Sequence, residues 1–103
     1  MRVTEYMRED GSIPFKQWFD KLNAQAAAKV AVALVRLEQG NTSNIKWFHG
    51  LGEYKIDWGP GYRIYLLQDG DDLIVLLGGG TKKQQQRDID RAKKLLEEYK
   101  LRR

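Results

Sequence analysis

Residues 53–83 read EYKIDWGPGYRIYLLQDGDDLIVLLGGGTKK: three apolar-rich runs separated by turn residues. The spacing predicts strands over 53–57, 62–68 and 72–77. The second and third are joined through Asp69-Gly70-Asp71, whose Asp-Gly step is a strong hairpin signal. The glycines at 78 to 80 are expected to end the third strand, with close backbone approach there. Alternation divides the first hairpin into two faces: Tyr54, Ile56, Tyr62, Ile64 and Leu66 on one, Lys55, Asp57, Arg63 and Tyr65 on the other. For the apolar sets to share a face, residues 58 to 62 must form the connection, which sets Asp57 opposite Arg63 and Lys55 opposite Tyr65. The apolar face should pack on helices and leave Lys55, Arg63 and Tyr65 on an open surface, with Lys82 and Lys83 at its rim. Such a surface suits phosphate groups and points to RNA.

Upstream, Val3 to Met7 is a candidate first strand. Ser12-Ile13-Pro14 marks a helix start near residue 13, because proline is tolerated in a first helical turn. Phe15, Trp18, Phe19 and Leu22 then fall at i, i+3, i+4 and i+7, an apolar stripe. Asn23 is the expected cap of a second helix running to about Gln39. Ala27, Val30, Ala31, Leu34 and Leu37 form its inner face, and Gly40 follows its end. The two helices read as a packed hairpin, and 41–52 reads as a loop. Downstream, Ile89, Ala92, Leu96 and Tyr99 mark the inner face of a helix over 84–101. The expected fold is α+β, an antiparallel sheet with an N-terminal helical hairpin and a C-terminal helix, in the order β-α-α-β-β-β-α.

With 103 residues the chain is long enough for a single domain with its own core. It has no cysteine, which excludes disulfides, thiolate metal sites and cysteine nucleophiles. A single histidine, His49, argues against a histidine metal cluster, so neither metal nor cofactor is expected. No apolar run reaches membrane-spanning length and the first residues lack a signal-peptide pattern, so the cytoplasm is the expected compartment and no membrane the expected partner. Residues 81 to 103 hold nine Lys/Arg against four Asp/Glu, a net of +5; the whole chain is +4, so residues 1 to 80 net −1. A basic C-terminal quarter on a near-neutral body indicates either a local polyanion site or a solvated helix face.

The ordered set GLGEYKID (50–57), GYRIYLL (61–67), an apolar strand running into GGGTKK (78–83) and a basic helix resembles the RelE/ParE toxin superfamily, in its addiction-module killer or HigB-like, phage Gp49-like branch. The resemblance spans nearly the whole chain. It implies a type II toxin neutralised by an antitoxin from an adjacent gene, often with a helix-turn-helix domain. It further implies cleavage of messenger RNA on the ribosome, or, for ParE-like members, poisoning of DNA gyrase. Lys55 and Arg63 occupy the family's strand lysine and arginine positions, and Lys83, beside Lys82, matches the basic residue past the last strand. Two departures are visible: a second strand lysine is replaced by Asp57, and the catalytic tyrosine of the final helical segment by Ile89.

A metal-independent RNase uses the RNA 2′-hydroxyl as its nucleophile. The protein must remove that proton and stabilise charge on the phosphorane. In this reading Arg63 holds the phosphate, Lys83 stabilises developing charge and Lys55 is the candidate base. Lys82, Arg87, Tyr65 and His49 contact RNA, and Glu53, His49 and Tyr65 are the remaining acid–base candidates. Duller roles compete with each of these. Arg63 can simply pair with Asp57, Tyr65 can pack, His49 can be a loop residue, and Lys82 and Lys83 can merely precede the helix. A gyrase-directed toxin and a non-catalytic nucleic-acid-binding regulator are the alternative functions.

Overall fold

The computed structural model describes residues 1–103. Strand β1 (Arg2–Glu5) leads to helices α1 (Pro14–Phe19) and α2 (Ala24–Glu38). Four strands follow, β2 (Ile45–Phe48), β3 (Leu51–Ile56), β4 (Tyr62–Asp69) and β5 (Leu73–Thr81), then a 3-10 turn (Lys82–Gln84) and helix α3 (Gln85–Arg102). Together they form an α+β fold around one five-stranded sheet in the order β1-β5-β4-β3-β2. β1 runs parallel to β5 and every other pairing is antiparallel, so the sheet is mixed rather than wholly antiparallel.

Helix starts follow local chemistry. Pro14 stands at the first position of α1, and the Asn23 side chain accepts from the Ala26 N–H at 2.8 Å to cap α2. The buried stripe of α2 is Ala26, Val30, Ala33 and Leu37, rotated from the expected Ala27, Ala31 and Leu34. α1 ends after six residues and lies chiefly against β5. The β4–β5 hairpin closes at Gly70, with a φ of +73°, as the Asp-Gly step predicts.

One expected loop is instead a strand. Residues 45–48 pair with β3 through a two-residue turn, His49-Gly50, in which both residues have positive φ (+56° and +87°). Two left-handed residues between paired strands match the twist of an antiparallel ribbon. β3 therefore begins at Leu51, two residues earlier than the sequence pattern suggests. β5 likewise passes through all three glycines to Thr81 rather than ending at residue 77, pairing Gly78, Gly79 and Gly80 with Tyr65, Ile64 and Arg63. A side chain at Gly79 would lie in the Trp18 ring, and one at Gly80 would lie 2.6 Å from Asp88 Cγ. The bare strand lets α1 and α3 approach from opposite sides.

Both faces of the sheet are covered. On one, Tyr54, Ile64, Leu66, Ile74 and Leu76 pack with Phe15, Val30, Ala33 and Leu37 of α1 and α2. On the other, Leu51, Tyr65, Leu67, Val75 and Leu77 pack under Ala92, Leu95 and Leu96 of α3. The predicted open surface is thus roofed by the C-terminal helix along most of its length. The far end of α3 is fastened by side chains. Glu98 accepts from Tyr6 Oη at 2.5 Å and from Arg8 at 2.9 and 3.1 Å, while Asp69 accepts from Tyr99 at 2.5 Å and Arg103 at 2.7 Å.

Candidate functional site

Near the β3–β4 turn, the α3 side of the sheet carries a cluster of polar side chains. Alternation puts Glu53 and Lys55 of β3 on the same side as Arg63 and Tyr65 of β4, and the register sets Glu53 opposite Tyr65 and Lys55 opposite Arg63. This corrects the expected pairing of Asp57 with Arg63 and Lys55 with Tyr65. The connection is 57–61, one residue earlier, because Gly59 and Gly61 adopt positive φ (+56° and +78°) and Tyr62 enters the strand opposite Ile56. Asp57 is left exposed in the turn.

Arg63 is not on an open surface: it is 5% exposed. Its Nε lies 3.7 Å from Glu53 Oε2, and its Nη1 donates to the Gly61 carbonyl at 3.0 Å. Gln85, at the start of α3, donates to the same Glu53 oxygen at 2.9 Å. The helix start, the Glu53 carboxylate and the arginine therefore form one connected unit. Tyr65 is fully buried and its hydroxyl makes no hydrogen bond of good geometry, although Glu53 and Asp88 are near enough to act on it. Burial pushes the Tyr65 phenol well up, and the two carboxylates add to that, which favours its neutral form. Asp88 is 7% exposed, with Oδ2 unpartnered; burial raises its pKa, while Arg91 and Arg87 pull it down.

The remaining cations are exposed: Lys55 beside Arg63, Lys82 and Lys83 on the 3-10 turn, and Arg87 on the first turn of α3. The Lys82 N–H donates to the Gly61 carbonyl at 2.9 Å, bringing the basic turn onto the β3–β4 connection beside Arg63. Lys55, Arg63 and Lys82 thus meet at one end of the sheet, with Lys83 next along the chain. His49 does not join them. It forms the β2–β3 turn, six residues from Lys55 along an extended strand, roughly 20 Å away.

Sequence reasoning named Glu53 only as an acid–base candidate, not as the partner of Arg63, and it missed Gln85 and Asp88. The signal for Glu53 was parity, since it shares a face with Lys55 and Arg63 in any register that keeps the apolar face intact. The signal for Asp88 was its place on the apolar stripe of the last helix, four residues before Ala92.

A small α+β protein with a five-stranded mixed sheet roofed by its C-terminal helix, and a basic cluster at one end, is the class that fold and site define. No family model matches the chain. An uncharacterized protein of Haemophilus influenzae is 41% identical to it over 89 residues, an alignment covering 84% of this chain and 90% of that one. The chain belongs to the same family as that Haemophilus protein.

Proposed function

We propose that this protein is the toxin of a type II toxin–antitoxin pair, a RelE/ParE-like, HigB-like endoribonuclease that cleaves ribosome-bound mRNA without a metal. The supporting observation is the direct opposition of Lys55 and Arg63, with the Lys82 turn bonded to Gly61 beside them. The α+β architecture, with a final helix packed over the sheet, is compatible with this reading. In this reading Arg63, held by Glu53 and the Gly61 carbonyl, is a preorganised donor to the scissile phosphate. Lys83 stabilises the phosphorane and Lys55 takes the 2′-hydroxyl proton; the 2′-oxygen bonds to phosphorus, the bond to the 5′-oxygen breaks and that oxygen takes a proton from water, leaving a 2′,3′-cyclic phosphate and a 5′-hydroxyl. Glu53 is occupied by Arg63 and Gln85, which leaves Lys55 the better-placed base. The toxin acts in the cytoplasm and is silenced by an antitoxin encoded beside it.

The burial of Arg63 favours a second reading on the same scaffold, a toxin that binds its target without cutting RNA, as a ParE-like gyrase poison or a nucleic-acid-binding regulator would. Induced expression of the chain, with RNA 5′ ends mapped and protein and DNA synthesis followed, separates the two. The nuclease reading expects new 5′-hydroxyl ends within coding sequences and arrest of translation first. Intact mRNA with early arrest of replication transfers the assignment to the gyrase poison.

A further inference from the structure

Strand β5 outlasts its neighbour. β1 pairs with Leu73–Leu76 and stops at Glu5, with one more bond from the Tyr6 N–H to the Leu76 carbonyl. Beyond that point Leu77 is the extra residue of a register shift, and Gly78–Thr81 keeps β4 on one side and has no strand on the other. Alternate residues of this stretch therefore turn N–H and C=O groups outward without a backbone partner. Gly78, Gly79 and Gly80 put no side chains over them. The segment floors a groove of about 510 Å³ whose walls include Pro14 and Trp18 of α1 and Asp88 and Arg91 of α3. Tyr65 and Asp88, which carry two of the molecule's buried unpartnered polar atoms, line the same groove. Its charged lining is Arg8, Lys21, Arg91 and Asp88. Arg8 is matched by Glu98 and Asp88 offsets one of the two remaining cations, so Lys21 and Arg91 leave the rim net positive.

The geometry points to a strand-addition site: an extended, acidic segment of a partner protein lies along Leu77–Thr81 and continues the line of β1. Its backbone pairs with the outward groups of β5, one of its donors reaches the Asp88 carboxylate, and its acidic side chains face Lys21 and Arg91. Five extended residues span roughly 17 Å, the length of the free edge. An RNA backbone offers donors only at its 2′-hydroxyls, which do not repeat at the spacing of the outward β5 carbonyls, whereas a peptide edge offers donors and acceptors at that spacing. The surface rests on this geometry alone; that its natural occupant is the neutralising antitoxin rests on the function proposed above.

The test titrates the isotope-labelled, full-length chain with a short capped peptide of alternating glutamate and valine and follows the backbone amides by NMR. Amides of 77–81 should shift, with cross-strand contacts from the peptide to that stretch. N-methylation of one alternating set of peptide residues should abolish binding, and methylation of the other set should spare it. Lys21→Glu combined with Arg91→Glu, both at exposed positions, should weaken binding at least about fivefold. Shifts centred elsewhere, no shifts at millimolar peptide, or equal binding of the two methylated peptides would overturn the proposal. So would a single-stranded RNA that displaces the peptide from the same amides at lower concentration. RNA cleavage by the free chain is scored separately, so failure of strand addition and failure of the nuclease reading are distinguishable.

Discussion

The Arg63 and Glu53 side chains are only 6% and 8% exposed, so removing one strands the other's charge in a poorly hydrated site. Arg63→Ala is therefore expected to destabilise the fold by about 3 kcal/mol, the lower end for a broken buried pair, since the 3.7 Å contact is a loose one. Urea denaturation checks this, and Arg63→Ala with Glu53→Ala should recover part of the loss because no charge is then stranded. Lys55→Ala and Lys83→Ala fall on exposed positions and should leave stability within about 0.5 kcal/mol. On the nuclease reading each should slow RNA cleavage ~100-fold; full activity in both would remove them from the site. Asp88 carries a different signature. Burial raises its folded pKa above the unfolded value of 3.8, so the folded state holds more protons between the two. Stability is then lost as pH rises through that window. Asp88→Asn should lack this decline and be the more stable protein at neutral pH, the two converging in acid; thermal melts across pH report it.

At the scale of elements, the glycine strand separates close approach from mere permissiveness. Gly79→Ala drives a methyl group into Trp18, whereas a methyl at Gly78 meets nothing within 4 Å. The first should cost about 1–3 kcal/mol, lowering the melting temperature by roughly 5–20 °C, and the second should be close to neutral. Equal effects would mean that α1 does not seat on Gly79. The fastening of α3 has its own pH dependence. Arg8, first, and Tyr6 hold the Glu98 carboxyl below its usual pKa of 4.5, so its contribution is present above that value and is lost as pH falls through the lowered one. Glu98→Gln should flatten the acid limb of the stability curve and leave the far end of α3 more open to amide exchange. The long helices and the β4–β5 hairpin were legible in sequence because period, cap and turn residues agree. β2 escaped because a four-residue strand has no room to show alternation, and because its turn uses His49 with positive φ where asparagine is the familiar signal.

At the scale of the molecule, one sheet divides two apolar clusters, and each needs its own helical cover. Without α3 the cluster of Leu51, Tyr65, Leu67, Val75 and Leu77 is bare, so a chain truncated after Gln84 should fail to form a cooperative fold and should aggregate. Loss of a sigmoidal urea transition in the truncated chain is the measurement; a cooperative transition would show that the first cluster suffices. Amphipathic period and turn chemistry are local properties, written in residues a few positions apart, and the sequence alone determined the long helices, the β3–β4 and β4–β5 hairpins and the α+β class from them. It also determined that Lys55 and Arg63 share a face, since alternation along a strand survives any slip of the hairpin by two residues. Contacts between residues distant in the chain were decided only in three dimensions. Glu53 rather than Asp57 partners Arg63 because positive φ at Gly59 and Gly61 sets the register, a choice that parity leaves open. The supposed open face is roofed because α3 docks over it, and the edge of β5 is free because β1, pairing in parallel from far upstream, ends before the glycines begin. Each depends on where separate elements meet, which no short-range pattern encodes.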